Sequence, residues 1–200
     1  MFDKIAMQFR KPTGFFGTIV VRIMEKGNRP VYETLLKYMN VEAGDKLFEI
    51  GYGPGVGIGL IMERYKPDAI YGIDFSELMY GAASARHKKY IEAGKVKLAF
   101  GDFITAEVNG REFDKIYFTN VVYFWNSLKE PFEKLHLLVK KGGTVFFYMA
   151  GEEYLKNKKM TGTEIFNKYS IEAITDALKL AGFTDVEYFF EKGYYIKAVK

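Results

Sequence analysis

The residues best placed to do chemistry in this chain form the run Glu49-Ile50-Gly51-Tyr52-Gly53-Pro54-Gly55. Glycines at alternate positions, directly after an apolar stretch, let the backbone turn sharply and keep side chains out of the way of an approaching ligand. Such a loop binds rather than reacts. Its spacing discriminates between ligands. A dinucleotide fingerprint G-x-G-x-x-G starting at Gly51 needs glycine at position 56, where Val56 stands, and starts at Gly53 or Gly55 fail at Ile58 and Leu60. What remains is G-x-G-x-G preceded by an acid. The 200 residues contain no cysteine, which excludes disulfides, thiolate metal sites and thiol nucleophiles. The two histidines, His87 and His136, lie far apart and show no metal-ligand spacing, so no metal is expected. His87, on a helix among charged residues, is expected to be solvated; His136, between Leu135 and Leu137, is expected to be structural.

Positioning this loop falls to alternating strands and helices. Lys46–Ile50, Ala69–Ile73, Val96–Phe100, Phe113–Phe118 and Thr144–Met149 read as short apolar or β-branched strands. Between them lie helical stretches through Leu60, Ile61 and Tyr65, and through Met79, Ala82, Ala83 and Tyr90, the latter capped by Ser76. A further helix carries Pro131 in its first turn and stops at Gly142-Gly143. Ser170 caps the last helix, which Gly182 ends, and Phe183–Phe189 with Tyr194–Val199 form a closing antiparallel pair. Repeated β-α-β alternation implies an α/β fold, a mostly parallel seven-stranded sheet with helices on both faces. Without a linker, repeat or low-complexity tract, residues 1–200 read as one domain. Its first 40 residues form a helical extension. There Phe15–Met24 suggests one helix and Pro30 opens a second running to Met39, covering a sheet face through Val31, Leu35 and Tyr38. Phe9–Phe16, flanked by Gly14 and Gly17 as hinges, is alternatively a lid.

The motifs in order resemble class I S-adenosylmethionine-dependent methyltransferases. Beyond the glycine loop, Ile73-Asp74-Phe75-Ser76-Glu77-Leu78-Met79 resembles the family's second-strand terminus and Gly101-Asp102-Phe103 its third. Phe113 to Asn120 resembles the fourth strand, and Leu135 to Gly143 the helix and double glycine before the fifth. The resemblance spans Leu47 to Met149 and implies a Rossmann-like doubly wound fold with S-adenosylmethionine as cofactor and S-adenosylhomocysteine as product. Carried over, Gly51, Gly53 and Gly55 pack against the cofactor with Tyr52 beside it, and Glu49 influences the loop or reaches the methionine amino group. Asp74 holds the ribose, because a carboxylate accepts two hydrogen bonds from a vicinal diol. Phe75, Met79, Asp102 and Phe103 enclose the adenine, and Asn120 lies near the methionine part.

Methyl transfer from a sulfonium needs an aligned nucleophile in a dry site, and a base only if the acceptor must lose a proton. No catalytic base is identifiable; Glu152 and Glu153 read as loop carboxylates. Asn120-Val121-Val122-Tyr123-Phe124-Trp125 has valines where family members that methylate nucleobase or glutamine amines carry prolines. Tyr123 and Trp125, with Phe16 from the extension, are therefore expected to wall a pocket for a small apolar or aromatic acceptor. An RNA or protein methyltransferase and a noncatalytic cofactor-binding subunit are the alternatives. A formal charge of +4 without a dense Lys/Arg block argues against nucleic acid. No apolar run is long enough to span a bilayer, so a cytoplasmic location is expected.

Overall fold

The computed structural model describes residues 6–8, 10–108, 110–159 and 161–200; the side chains of Phe15, Phe16, Thr18, Val20 and Met24 are not among those described. Its elements run α1 (Gly14–Met39), β1 (Lys46–Ile50), α2 (Val56–Arg64), β2 (Ala69–Asp74), α3 (Glu77–Arg86), α4 (Lys88–Glu92), β3 (Val96–Phe100) and β4 (Phe113–Thr119). After a single 3-10 turn (Val122–Phe124) come α5 (Lys129–Leu138), β5 (Val139–Met149), α6 (Glu152–Asn157), α7 (Ile171–Leu180), β6 (Thr184–Phe190) and β7 (Tyr194–Val199). The seven strands form one sheet in the order β3-β2-β1-β4-β5-β7-β6. β1 to β5 are parallel, and β7 runs antiparallel between β5 and β6. This is the mostly parallel α/β sheet with a closing antiparallel pair that the alternation implies, in the Rossmann-like arrangement that the resemblance implies. Among the described residues, no helix is long and apolar enough to cross a membrane.

The order of strands reverses at β1, whose neighbours are β2 and β4. A crevice opens where the connections leaving β1 and β4 depart in opposite directions, and the glycine loop follows β1 there. One core lies under α5 and α7, around Phe118, Phe132, Leu135, Phe147 and Ile174. The other lies under α1 and α2, around Leu35, Leu36, Leu47, Ile58, Ile61 and Tyr117. Ser76 and Ser170 cap α3 and α7 by accepting from Met79 N and Ala173 N, as their positions predict.

Two local expectations are corrected. From Gly14 to Met39 the N-terminal extension is one helix through Pro30 rather than two. Proline costs a helix interior about 3 kcal/mol, but burial of Tyr32, Leu35, Leu36 and Met39 contributes roughly 1.5–3 kcal/mol per large apolar side chain. Spaced i, i+3, i+4 and i+7, these four form one stripe, and Pro30 lies exposed off it. Tyr38 meets the sheet only at its edge, half exposed, with its ring centre 4.4 Å from that of Phe189 in β6. Second, Gly142-Gly143 lies inside β5. Val139 pairs Phe113, the register shifts, and pairing resumes at Thr144 with Lys115. The glycines thus accommodate an irregularity in the strand, and Gly142 N and Gly143 O both bond to Lys200.

Candidate active site

The carboxyl ends of β1, β2 and β4 open into a cavity of about 520 Å³, roofed by α1. Gly51 (φ +66°) and Gly55 (φ +78°) have backbones that a side chain rarely adopts. A Cβ would meet Val121 Cγ2 at 2.6 Å from Gly51, and His87 Nε2 at 2.5 Å from Gly55. At Gly53 nothing stands within 4 Å of such a Cβ, so this part of the loop is bare towards the cavity. Gly53 N donates to Asp74 Oδ2 at 2.8 Å, and Ser76 N donates to Asp74 Oδ1 at 2.9 Å. Burial pushes the Asp74 carboxyl up to about 6, against the opposing pull of those two amides.

Gly51, Tyr52, Gly53, Asp74, Phe75, Met79, Asp102, Phe103, Asn120, Tyr123 and Trp125 all line this one cavity. Several do so with the greater part of their side chain elsewhere. Tyr52 is buried, passes over Gly72, and its hydroxyl donates to Ala99 O at 3.0 Å. Phe103 sits between Phe48 and Trp125, at 6.1 and 6.2 Å. Asp102 is exposed and accepts from Ile104 N at 2.8 Å. Gly55 and Glu49 do not line the cavity. Glu49 is wholly buried behind the loop, where its two oxygens accept from Tyr32 Oη at 2.5 Å and Tyr117 Oη at 2.8 Å. Its link to the cavity runs through Tyr32, which does line it. The side chain of Phe16 lies outside the described residues.

Asn120 holds a left-handed backbone (φ +58°) at the end of β4, a costly conformation for a residue other than glycine. A chain of hydrogen bonds surrounds it. Ala150 N donates to Tyr123 Oη, Tyr123 donates to Asn120 Oδ1 at 3.1 Å, and Asn120 Nδ2 donates to Asn28 Oδ1 of α1 at 3.2 Å. Beside it Thr119 Oγ1 is buried near the Tyr32 hydroxyl without a well-formed hydrogen bond of its own. An orphaned polar atom in a cavity wall is a natural contact for a polar ligand.

His87 corrects a further expectation: it is buried, not solvated. Its Nε2 lies 2.7 Å from Gly55 O, and because a carbonyl only accepts, Nε2 carries the proton. The adjacent Arg86 donates from Nη1 to Pro54 O at 2.9 Å and pairs through Nη2 with Glu25 of α1. Two successive side chains thus hold two successive carbonyls of the glycine loop. Burial lowers the His87 imidazole below its ordinary range, keeping it neutral. Lys134 of α5 likewise gathers the loop after β3, donating to the carbonyls of Phe103, Ile104 and Ala106. The contacts of Asn28, Tyr32, Arg86, His87 and Lys134 each join residues at least 17 positions apart, and no local pattern encodes them.

A parallel sheet reversing at β1, a glycine-rich loop and an acid ending β2 are features of nucleoside-binding Rossmann-like folds. Residues 47–143 match a family described as a methyltransferase domain. The chain is 25% identical over 169 residues to the uncharacterized methyltransferase YdaC of Bacillus subtilis, covering 84% of this chain and 88% of that protein. It is matched in fold by a chain from the complex between the Haloferax volcanii Trm112 methyltransferase activator and a methyltransferase, with TM-score 0.77, 17% identity and coverage of 90% and 92%. Haemonchus contortus phosphoethanolamine N-methyltransferase 2 in complex with S-adenosylmethionine follows with TM-score 0.73 and 18% identity, covering 86% of this chain and 52% of that one. The chain spans less than half the length of the sterol 24-C-methyltransferases it also matches. Residues 47–143 are thus similar to a methyltransferase domain, and most of the chain is similar to methyltransferases in sequence and fold.

His87→Ala should weaken S-adenosylhomocysteine binding severalfold, because the buried Gly55 carbonyl loses its donor, a loss of roughly 1–3 kcal/mol shared between fold and loop. His87→Gln, which restores an N–H donor, should recover affinity. Calorimetric titration of both variants checks this; equal affinity in wild type and His87→Ala would assign the histidine to packing alone.

Proposed function

We propose that this chain transfers a methyl group to a small acceptor with an apolar or aromatic body, with residues 1–40 acting as a lid and residues 1–200 as one working unit. The observation carrying this reading is the far wall of the cavity. Tyr123, Phe124, Trp125, Phe166 and Leu155 line it beside the glycine loop, while Ile23, Asn28 and Tyr32 of α1 close it from above. Such a wall suits a dry, apolar acceptor site, in which water cannot compete as nucleophile.

The donor supplies an electrophilic methyl group on a sulfonium. The acceptor's nucleophilic atom forms its bond to that carbon as the sulfur–carbon bond breaks, the bonding pair staying on sulfur. The chain's residues supply position. Gly51 and Gly53 give close backbone approach, Asp74 accepts from the ribose hydroxyls, and Phe75, Met79, Asp102 and Phe103 flank the adenine. Asn120 and the orphaned Thr119 hydroxyl meet the methionine part, held by the bonds from Tyr123 and to Asn28. Glu49 acts through Tyr32, and Gly55 through its carbonyl on His87. The geometry supplies alignment and exclusion of water and assigns no base.

Incubation with donor carrying a labelled methyl group and a small-molecule extract should place label in the organic-soluble fraction. Label in RNA or protein instead would overturn the acceptor class. Deleting residues 1–17 should abolish this transfer and leave S-adenosylhomocysteine affinity nearly unchanged, since Glu25, Asn28 and Tyr32 remain. A truncated chain that melts far lower, or transfers normally, would remove the lid.

A further inference from the structure

Resting on the acceptor reading above, we infer that the acceptor is an anion: an apolar or aromatic body bearing a carboxylate or similar acidic group, held between Arg10 and Lys158. The cavity is divided by charge. Its carboxylates lie towards the cofactor end and are occupied: Asp74 by two amides, Asp102 by Ile104 N, and Glu25 by Arg86. Its far wall carries two cations instead. The Arg10 guanidinium stands 5.9 Å from the centre of the Phe124 ring, and the Lys158 ammonium 5.3 Å from that of Tyr154. Among the described residues neither is within ion-pairing distance of a carboxylate, whereas Arg64, Arg86, Lys115 and Lys140 all are.

The backbone carrying these cations is anchored. Pro12, two residues after Arg10, is buried and accepts from Ser76 Oγ at 3.3 Å. The carbonyl of Lys158 accepts from Thr161 N and Gly162 N at 3.1 and 2.7 Å. Cations over aromatic faces at the edge of an apolar cavity favour a ligand that places a ring against the rings and an anion against the charges. They oppose an acceptor that arrives as an ammonium ion. An anionic acceptor also offsets the positive charge of the sulfonium donor within one low-dielectric space.

The test uses the full chain loaded with S-adenosylhomocysteine, titrated by calorimetry with naphthoate, naphthamide and naphthylmethylammonium, which share an aromatic body. Naphthoate should bind roughly tenfold more tightly than naphthamide, the difference between a charge-assisted and a neutral hydrogen bond. Naphthylmethylammonium should bind most weakly. In the Arg10→Met, Lys158→Met double variant the preference for naphthoate should vanish, with S-adenosylhomocysteine affinity kept. Equal binding of acid and amide, a preference surviving in the double variant, or no naphthoate binding at all would overturn the inference. So would a loss of S-adenosylhomocysteine affinity in the double variant, which would assign the cations to the cofactor's own carboxylate. Failure of the wild-type chain to bind S-adenosylhomocysteine would sink the methyltransferase reading itself, a result visible before any naphthyl compound is added.

Discussion

Asp74→Ala should weaken binding of S-adenosylhomocysteine by roughly ten- to a hundredfold, the equivalent of about 1.5–3 kcal/mol for hydrogen bonds to a charged acceptor. The fold should survive. Burial raises the Asp74 carboxyl to about 6, so the ionised group is less favourable in the folded chain than in water. From the unfolded value near 3.8 upward the folded chain retains a proton longer, and this favourable contribution is lost as pH rises through 6. At neutral pH the charge is therefore a cost to stability, retained at a strand terminus where it faces the cavity. Removing it should leave the melting temperature unchanged or higher while cofactor affinity falls. Gly53 N and Ser76 N lose an acceptor, which tempers the gain. Wild-type affinity should also weaken as pH falls below about 6, where the acceptor gains a proton. Calorimetry with thermal melts separates these effects. Unchanged affinity together with a lowered melting temperature would make Asp74 a structural carboxylate and not a ribose ligand.

What the sequence made legible is what depends on neighbours along the chain. The succession of strands and helices along the chain follows from apolar runs bounded by turns, and the glycine loop from the spacing of Gly51, Gly53 and Gly55. Helix starts follow from Ser76 and Ser170, whose caps span three residues. What misled is equally physical. Pro30 is a local signal for a helix start, and a stripe of four buried side chains overrides it. Charged neighbours around His87 suggest solvent, yet Arg86 turns to the loop and His87 inward, because Gly55 lacks a side chain to keep the imidazole away. Gly142-Gly143 signals a turn in one strand considered alone; only the pairing with β4 and with Lys200 makes it part of β5. The cavity residues on α1 were beyond reach for the same reason. Asn28 and Tyr32 meet Asn120 and Glu49 across 92 and 17 positions, and no periodicity encodes such contacts.

The second large effect concerns Glu49. Its carboxyl is pushed up to about 8 by burial, with the Tyr32 and Tyr117 hydroxyls opposing the rise and the nearby Asp74 charge adding to it. An unfolded glutamate titrates near 4.5, so between these values the folded chain holds a proton that the unfolded chain has released. Stability from this group is fully present below 4.5 and is lost as pH rises through 8. Each tenfold difference in proton affinity between the folded and unfolded chain is worth about 1.4 kcal/mol, so the full swing is on the order of 5 kcal/mol. That is enough to move a melting temperature by many degrees in a domain of this size. The window from about pH 7 to 8.5 isolates the upper part of this fall. Asp74 has finished titrating below this range, and His87, depressed by burial, is already neutral. Wild-type melting temperature should therefore fall across that window, while Glu49→Gln, neutral throughout, should melt at nearly constant temperature. Tyr32 limits the effect on function. Its hydroxyl ties α1 to β1 through Glu49 while its body lines the cavity. The ionised carboxylate accepts from Tyr32 more strongly than the neutral acid, so cofactor affinity should hold over the same window while the wild-type melting temperature falls. Parallel melting profiles for the two proteins across that window would show that Glu49 is already ionised in the folded chain, and that the two tyrosine hydroxyls outweigh its burial.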